Sequence, residues 1–518
     1  MTLRFHSLLL LMLLPAGFAF ADSIHDDPAF DEIVVTANDL FLNADFDAGI
    51  NLIRLQESSR PEDPAVSYFA ANGYWWKIFR TYIYDKEAKN TEHDQYFEYF
   101  LQQTIERSEN LLKRNKQDVR ALFYLGNAYS LKSRVKGLRG SYFSASRDAA
   151  RGKNHLEEVL KLDPSQYDAY YNLGMYNYLA GALPGYAKVL KAFLFLPGGS
   201  KEKGLSLLKI ASAKSKYFSA EAQLVLARFY ADFEDQPFDA LRIVDSFHNK
   251  YPGNAWFHYW KGTLYSDEIN DYKAAEPIFI EIIQKCEQQL PSYTDELRNQ
   301  SWLKLARVYA RRLYPEKAID EIKQLIAQKP TQPSWILPRA YLELGNVYDL
   351  TGMRKEAVSA YNRVLAYRDY RNFHELAKKA RSQDYNQAQA DIYRLNLEGR
   401  RLVAAENYAE AETAFENVLR RYPNNDQTLY ALAEMHSMKG SYKEAADILT
   451  RILKRNPKEP KWLVPGIYVR LGQIYQARKQ AAQARLSYEK ALDAKFLASD
   501  DRNLARRALK EMAQNKSS

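Results

Sequence analysis

The chain has 518 residues, 46% of them hydrophobic and 26% charged, with 73 Lys and Arg against 64 Asp and Glu for a net charge of +9. Those proportions exclude a disordered chain, and the length exceeds what one ordinary core holds, so an array in which each unit packs only on its neighbours is favoured. A lone cysteine, Cys286, excludes an internal disulfide; set in the helical pattern EPIFIEIIQKCEQQL, it reads as a buried structural thiol.

Residues 1–21 have the organisation of a secretory signal peptide. Arg4 precedes an apolar run from Leu8 to Leu14, Pro15 and Gly17 break it, and Ala19-Phe20-Ala21 forms an A-x-A cleavage site before Asp22. The run is too short to span a bilayer, and no cysteine follows the cleavage site to carry a lipid. Export without disulfides leads us to expect a Gram-negative periplasmic location, with secretion as the alternative. Export also disfavours nucleic acid as a partner, and no membrane span is expected after cleavage.

Residues 22–117 read as degenerate N-terminal helical repeats. DSIHDDP is a polar lead. The stretch that follows places Ala48 at the small position of a second helix, with Leu52 and Leu55 after it and Pro61 and Pro64 at its end. A helix pair is predicted from Ala65 to Tyr84 and from Asp94 to Arg114, around the polar loop DKEAKNTEHD. The aromatic run YWWKIFRTYIY in its first member reads as core.

From 118 to 498 the pattern sharpens, with insertions near 131–151, 181–203 and 366–390. ALFYLGNAYS places Gly126 and Tyr129, and its second helix arrives late, at Gly152 and Leu156. The delay falls in a basic stretch (Lys132, Arg134, Lys136, Arg139, Arg147, Arg151 and Lys153) that reads as a lengthened, solvated helix or loop. DAYYNLGMYNYLAG places Gly174. The next segment, Leu183 to Leu196, is apolar and aromatic and bounded by Pro and Gly. It reads as a wedge over the array or as an exposed surface for lipid or a partner helix. Further units place Ala227 and Ala240, Gly262 and Ala274, Ala306 and Ala318, and Gly345, Ala357 and Tyr361. Residues 368–390 delay the next unit and are predicted to lengthen a helix. No stretch alternates as a strand does, and residues 499–518 read as a charged capping helix and tail.

Two copies of one pattern lie between Tyr393 and Pro457. Gly399 and Ala433, Ala411 and Ala445, Phe415 and Leu449, and Pro423 and Pro457 are each 34 residues apart. This period, with its small and large positions and closing proline, resembles the tetratricopeptide repeat, a helix–turn–helix unit. The segment around Leu183–Leu196 is also similar to one found in exported bacterial proteins of that family. The resemblance implies an all-α superhelical solenoid, here of ten or eleven units. It also implies a concave groove lined by the first helix of each unit. Carried onto this chain, that register points Arg120, Asn127, Tyr171, Tyr178, Arg228, Trp256, Tyr259, Arg307, Arg311, Asn346, Asn396 and Arg400 into the groove, with Tyr393, Arg339, Met175, Thr263, Glu434 and Gln473 among the other inward positions.

Residues that would carry catalysis are missing from the sequence. His374-Glu375 opens no HExxH because Lys378 stands at the second histidine position, Pro197–Lys201 lacks the phosphate-loop spacing, and there is no G-x-S-x-G or C-x-x-C. No catalytic residue, metal or cofactor is expected. The leading expectation is a non-catalytic periplasmic scaffold that binds a protein partner or acidic peptide in the groove, since Arg matches carboxylates and Tyr and Trp offer stacking area. The alternatives are a polysaccharide-export or envelope-assembly component contacting an acidic glycan, and a membrane-surface adaptor acting through residues 183–196.

Overall fold

The structure is a computed structural model and describes residues 24–85, 91–182, 198–370, 372–383 and 385–514. The signal-like residues 1–21 and the apolar segment Leu183–Leu196 lie outside the described residues. Those described form twenty-four α-helices and one π-helical turn, with no strand. None of the helices is long and apolar enough to cross a membrane.

The helices follow one another in eleven pairs. The first five are α1 (Pro28–Leu42) with α2 (Phe46–Arg54), α3 (Pro64–Tyr84) with α4 (His93–Arg114), α5 (Val119–Leu138) with α6 (Tyr142–Leu162), α7 (Ala169–Ala182) with α8 (Lys201–Lys214), and α9 (Ser219–Asp232) with α10 (Pro237–Lys250). Then come α11 (Ala255–Thr263), extended by the π-turn Leu264–Ile269, with α12 (Tyr272–Glu287), α13 (Asp295–Arg311) with α14 (Pro315–Ala327), and α15 (Ile336–Leu350) with α16 (Arg354–Val364). An unpaired helix, α17 (Phe373–Ser382), interrupts the series. It resumes with α18 (Gln387–Ala404) and α19 (Tyr408–Arg421), α20 (Asp426–Met438) and α21 (Tyr442–Arg455), α22 (Leu463–Ala477) and α23 (Ala481–Asp493), and ends in α24 (Ser499–Gln514).

Local chemistry sets the boundaries. Side chains of Asp27, Asp45, Asp118, Asn254, Asp271, Thr294, Asn386 and Asn425 accept hydrogen bonds from the first free N–H groups of their helices. Pro28, Pro237 and Pro315 stand in the first helical turn, where no N–H is needed. The turn inside most pairs is made by one residue of positive φ: Ala44, Asp235, Leu313, Gly352, Glu406, Gly440 and Lys479. Glycine adopts that region without strain, so Ala44 and Leu313 hold it only because the packed helices on either side require it.

Each pair closes where a small residue on one helix meets a large side chain on the other. A β-carbon placed on Gly399 would lie 2.6 Å from the Phe415 ring, and one on Gly472 would lie 2.5 Å from Tyr488; Gly345 faces Tyr361 in the same way. In the first pair the small residue is Gly49, against the ring of Phe41, and not the expected Ala48, which is only half-buried; Leu55 is exposed.

Three expectations change. The insertion near 131–151 lengthens both members of one pair, α5 to 20 residues and α6 to 21, so that Gly126 still meets Leu156. Its basic side chains are largely paired within the chain: Lys136 with Asp148 (2.5 Å), Arg139 with Asp94 (2.9 Å) and Lys153 with Glu157 (2.7 Å). Residues 366–390 do not lengthen a neighbouring helix but form the separate α17, because Asn372 turns into the left-handed region just before it. The polar lead is anchored: Ile24 is buried and His25 bridges Asp31 and Asp168.

The chain divides into two compact units, Met1–Arg80 with Lys89–Val225, and Thr81–Ala88 with Leu226–Ser518. In the first, α1 buries Phe30, Val34, Ala37 and Phe41, and Asn38 Nδ2 donates to the Tyr217 carbonyl (2.9 Å). In the second, a continuous core runs from α11 to α17, and Cys286 is buried in it with its thiol pushed up to about 12 by burial.

Candidate functional site

In the first unit the four expected groove residues are committed to the fold. Arg120 pairs with Asp26 and with Asp63 (2.7 Å). Asn127 is fully buried, donating to the Phe123 carbonyl (2.8 Å) and accepting from Asn172 (2.5 Å). Tyr171 is buried with the Arg134 guanidinium over its ring, and Tyr178 is buried against Gly204. Asn127, Tyr171 and Tyr178 are core, and Arg120 is a partly buried ion-pair residue.

The second unit is different. Trp256 stacks on Trp260 (4.9 Å between centroids), Tyr259 meets Phe279 edge-on, and Arg228 pairs with Asp232 one turn along its own helix (2.6 Å). The arginines that follow form a ladder with acidic partners. Glu343 accepts from Arg307 (2.7 Å) and sits 2.5 Å from Arg339; Glu434 accepts from Arg470 (2.8 Å) and lies 3.8 Å from Arg400. Burial alone would raise both carboxyls, but the flanking arginines outweigh it and hold each below the ordinary glutamate range. Arg311 faces Asp500 of α24 (3.2 Å). Apart from the loosely held Arg400, the Arg series is thus paired with the chain's own carboxylates.

Three expected residues, Asn346, Asn396 and Arg400, come together in one cavity of about 510 Å³. Helix α17 packs on α15 and α16 and precedes α18, which itself touches α15. Arg354 fixes α17 in place. Its guanidinium binds Asp349 (2.7 Å) and reaches the carbonyls of Ala380 (3.3 Å) and Arg381 (2.7 Å) at the C-terminal end of α17, where a cation suits the free carbonyls and the helix dipole. Tyr361 donates to Asp349 (2.9 Å), so the one carboxylate among the described lining residues is fully engaged.

What remains open in the cavity is mostly uncharged, an apolar surface set with side-chain amides and hydroxyls. Gln383, Gln389 and Gln427 line it beside Tyr385, Tyr393 and Trp462, and Trp462 is 39% exposed. Asn396 is buried, and while its Nδ2 donates to Thr428 (3.0 Å), its Oδ1 has no hydrogen-bond partner among the described residues; nor has the buried Tyr385 hydroxyl. Buried polar atoms are normally satisfied, so these two are acceptor and donor positions open to a further partner. Among the described residues Arg400 makes only the loose 3.8 Å contact with Glu434.

Sequence reasoning missed Arg354, Glu343, Arg470 and Tyr385. Glu434 was the available signal, being an acidic residue at an inward position of the same register as Arg307 and Arg400.

Tetratricopeptide-repeat family models match residues 138–200 and 396–460, and a second such model matches 338–369 and 465–496. A search of curated protein sequences gives no match. Among solved structures, a tetratricopeptide repeat protein from Parabacteroides merdae is 16% identical, covering 56% of this chain and 99% of that one, with a TM-score of 0.24. The yeast Sti1 TPR2AB domain, solved with a pHSP90 complex, is 13% identical over 58% of this chain and 99% of that one, TM-score 0.22. Human IFIT1 is 14% identical over 84% and 96%, TM-score 0.32. Such scores carry no argument about ligands. The paired helices, the 34-residue spacing with its small and large positions, and the matched models together identify the matched segments of this chain as tetratricopeptide repeats.

Proposed function

We propose that the chain is a non-catalytic scaffold, exported to the periplasm, that holds an extended segment of a partner protein on the first-helix face of residues 226–518. The observation that carries this reading is the cavity beside the C-terminal end of α17, where Asn346, Asn396 and Arg400 converge beside Trp462. Side-chain amides present a donor and an acceptor together, which is what a peptide backbone requires, and the exposed indole offers area for one side chain. The pairing of Arg307, Arg339 and Arg470 with Glu343 and Glu434 favours a neutral polar segment over a polyanion. Export rests on the signal-like pattern of residues 1–21.

A photo-crosslinking side chain at Gln389 or Gln427 in the mature chain tests the site. A discrete cross-linked protein is expected from these positions and not from Glu444 on α21. Adding W462A and R400A should reduce the yield about tenfold. Equal yields from all three positions would sink the proposal. Fractionation of cells expressing the full chain tests the location: recovery in the cytoplasm with residues 1–21 still attached would remove the export part.

A further inference from the structure

A helix that only shields the end of an array touches the last repeat and nothing else, because in such arrays each unit contacts its neighbours. Helix α24 does more. On one side Ala505 and Ala508, with Leu497 just ahead of the helix, pack on Val469, Ala484, Tyr488 and Ala491 of the last pair. On the other side α24 reaches elements far earlier in the chain. The Asp500 carboxylate accepts from the Tyr272 hydroxyl (2.8 Å), 228 residues away, and lies 3.2 Å from Arg311. Asp501 lies 3.3 Å from Arg470, and Lys510 donates to the Glu234 carbonyl (2.6 Å), 276 residues away. The helix also packs on the π-turn that leads into Tyr272.

The receptor for the first turn is therefore specific in its chemistry. A phenol and two guanidinium groups, drawn from α12, α13 and α22, converge on two adjacent carboxylates that open a helix. Carboxylates in a first turn also stabilise their own helix through its dipole, so the pattern selects helix N-termini over extended acidic chain. The hold is partial. Of the helix itself only Ala505 and Ala508 are fully buried in the cluster, with Leu504, Leu509 and Met512 partly buried against it, the Arg311 side chain is 54% exposed, and burial of Asp501 works against its charge despite Arg470.

We propose that Tyr272, Arg311 and Arg470 form a docking surface for an α-helix whose first turn carries two adjacent carboxylates, and that α24 occupies it in cis as a displaceable strap. The partner is a helix of that chemistry on another protein, which must compete with α24. This surface is separate from the amide-lined cavity, and either proposal can fail without the other.

The test uses the full chain and a fluorescent synthetic peptide of residues 495–514. In the D500N/D501N variant, amides of α24 should exchange with deuterium at least about tenfold faster than in the parent, while α22 and α23 keep their protection. The peptide should bind that variant at least about tenfold more tightly than the parent, whose surface is filled. Adding Y272F and R311Q to the variant should abolish peptide binding, and a peptide with both aspartates changed to asparagine should not bind. If the substitutions impair folding, the parent alone decides the matter: raising salt from about 0.1 to 1 M should speed exchange in α24 selectively. Exchange in α24 that ignores both the substitutions and salt, or peptide binding that ignores Tyr272 and Arg311, would overturn the proposal.

Discussion

Each compact unit holds one of the two outermost described helices, α1 and α24, and the two are held by different physics. In the first unit α1 sinks Phe30, Val34 and Phe41 into the core, each worth about 1.5–3 kcal/mol of burial. Asp168 and Asp31, 1% and 2% exposed, then lock it to the loop before α9 through His25, Lys216 and Tyr217. Asp168 alone accepts from Ser215 (2.6 Å) and from the backbone N–H groups of Tyr217 (2.8 Å) and Phe218 (3.0 Å). In the second unit α24 brings Ala505 and Ala508 with the partly buried Leu504, Leu509 and Met512, and adds ion pairs, of which the exposed Arg311–Asp500 pair is worth about 0.2–1 kcal/mol. Both helices fold back, α1 on large, fully buried side chains and α24 on small or partly buried ones. Such a helix becomes permanent through buried apolar area, and charge decides only where it lies.

The largest expected effect that bears on this contrast is at Phe41. Its ring fills the space over Gly49 and Gly73, and F41A should cost the first unit about 3–5 kcal/mol, read as a lower urea midpoint for exchange of its amides, with the second unit unmoved. Loss of protection confined to α1 would show that α1 is as detachable as α24. Next, D168N places an amide among donors that all require an acceptor. It should destabilise the first unit by about 2–3 kcal/mol in calorimetry, and a change below half of that would mean the buried network contributes little.

Acidification should divide the units. Burial would lower His25, but Asp168 and Asp31 outweigh it and raise it, so its contribution is complete below the unfolded value of 6.5 and fades as pH rises through the raised value. In the second unit burial lowers His258 to about 4. His248 stacks on it at 4.4 Å and is lowered for the same reason, with Glu281, Lys285, Lys261, Asp245 and Tyr293 around the pair. That contribution is complete above 6.5 and is lost as pH falls toward 4. Going from pH 7.5 to 5.5 should cost the second unit about 1 kcal/mol through this pair, whereas in the first unit the gain at His25 and at Glu221, which burial raises to about 7, opposes the loss at His93 and His155, which burial lowers. The midpoint of the second unit should therefore fall further than that of the first, and a larger fall in the first would refute the assignment. The smallest effect is expected from D500N/D501N, under about 1 kcal/mol on global unfolding of the second unit, whatever its effect on α24 itself.

What could be read from the residues was local. The pair α3–α4 was predicted at 65–84 and 94–114 and is found at Pro64–Tyr84 and His93–Arg114, because prolines and a polar loop mark those ends. Gly345, Gly399 and Gly472 announced their hairpins, as did the 34-residue spacing of the pairs after Tyr393. Helix α17 was hidden because its start is turned by Asn372 rather than by Gly or Pro, leaving an unbroken helical composition. The cavity was half visible: Asn346, Asn396 and Arg400 follow from register, whereas Arg354 acts across 26 residues on backbone carbonyls and leaves no periodic trace. The neutralised arginines and the strap contacts depend on pairings between distant units, which no short-range pattern encodes.

The facing of Gly345 by Tyr361, Gly399 by Phe415 and Gly472 by Tyr488 has a consequence for how such a chain grows. Each clasp joins residues only 16 positions apart, so loop closure costs little and a hairpin of this kind forms early and nearly alone. Length added inside a hairpin must be shared evenly by both arms, as in α5 and α6, or Gly126 and Leu156 would slip past each other. Length added between hairpins meets no such constraint. It adds an element at the joint instead, as α17 does beside the cavity, and new pockets in a chain of this kind should therefore arise at the joints.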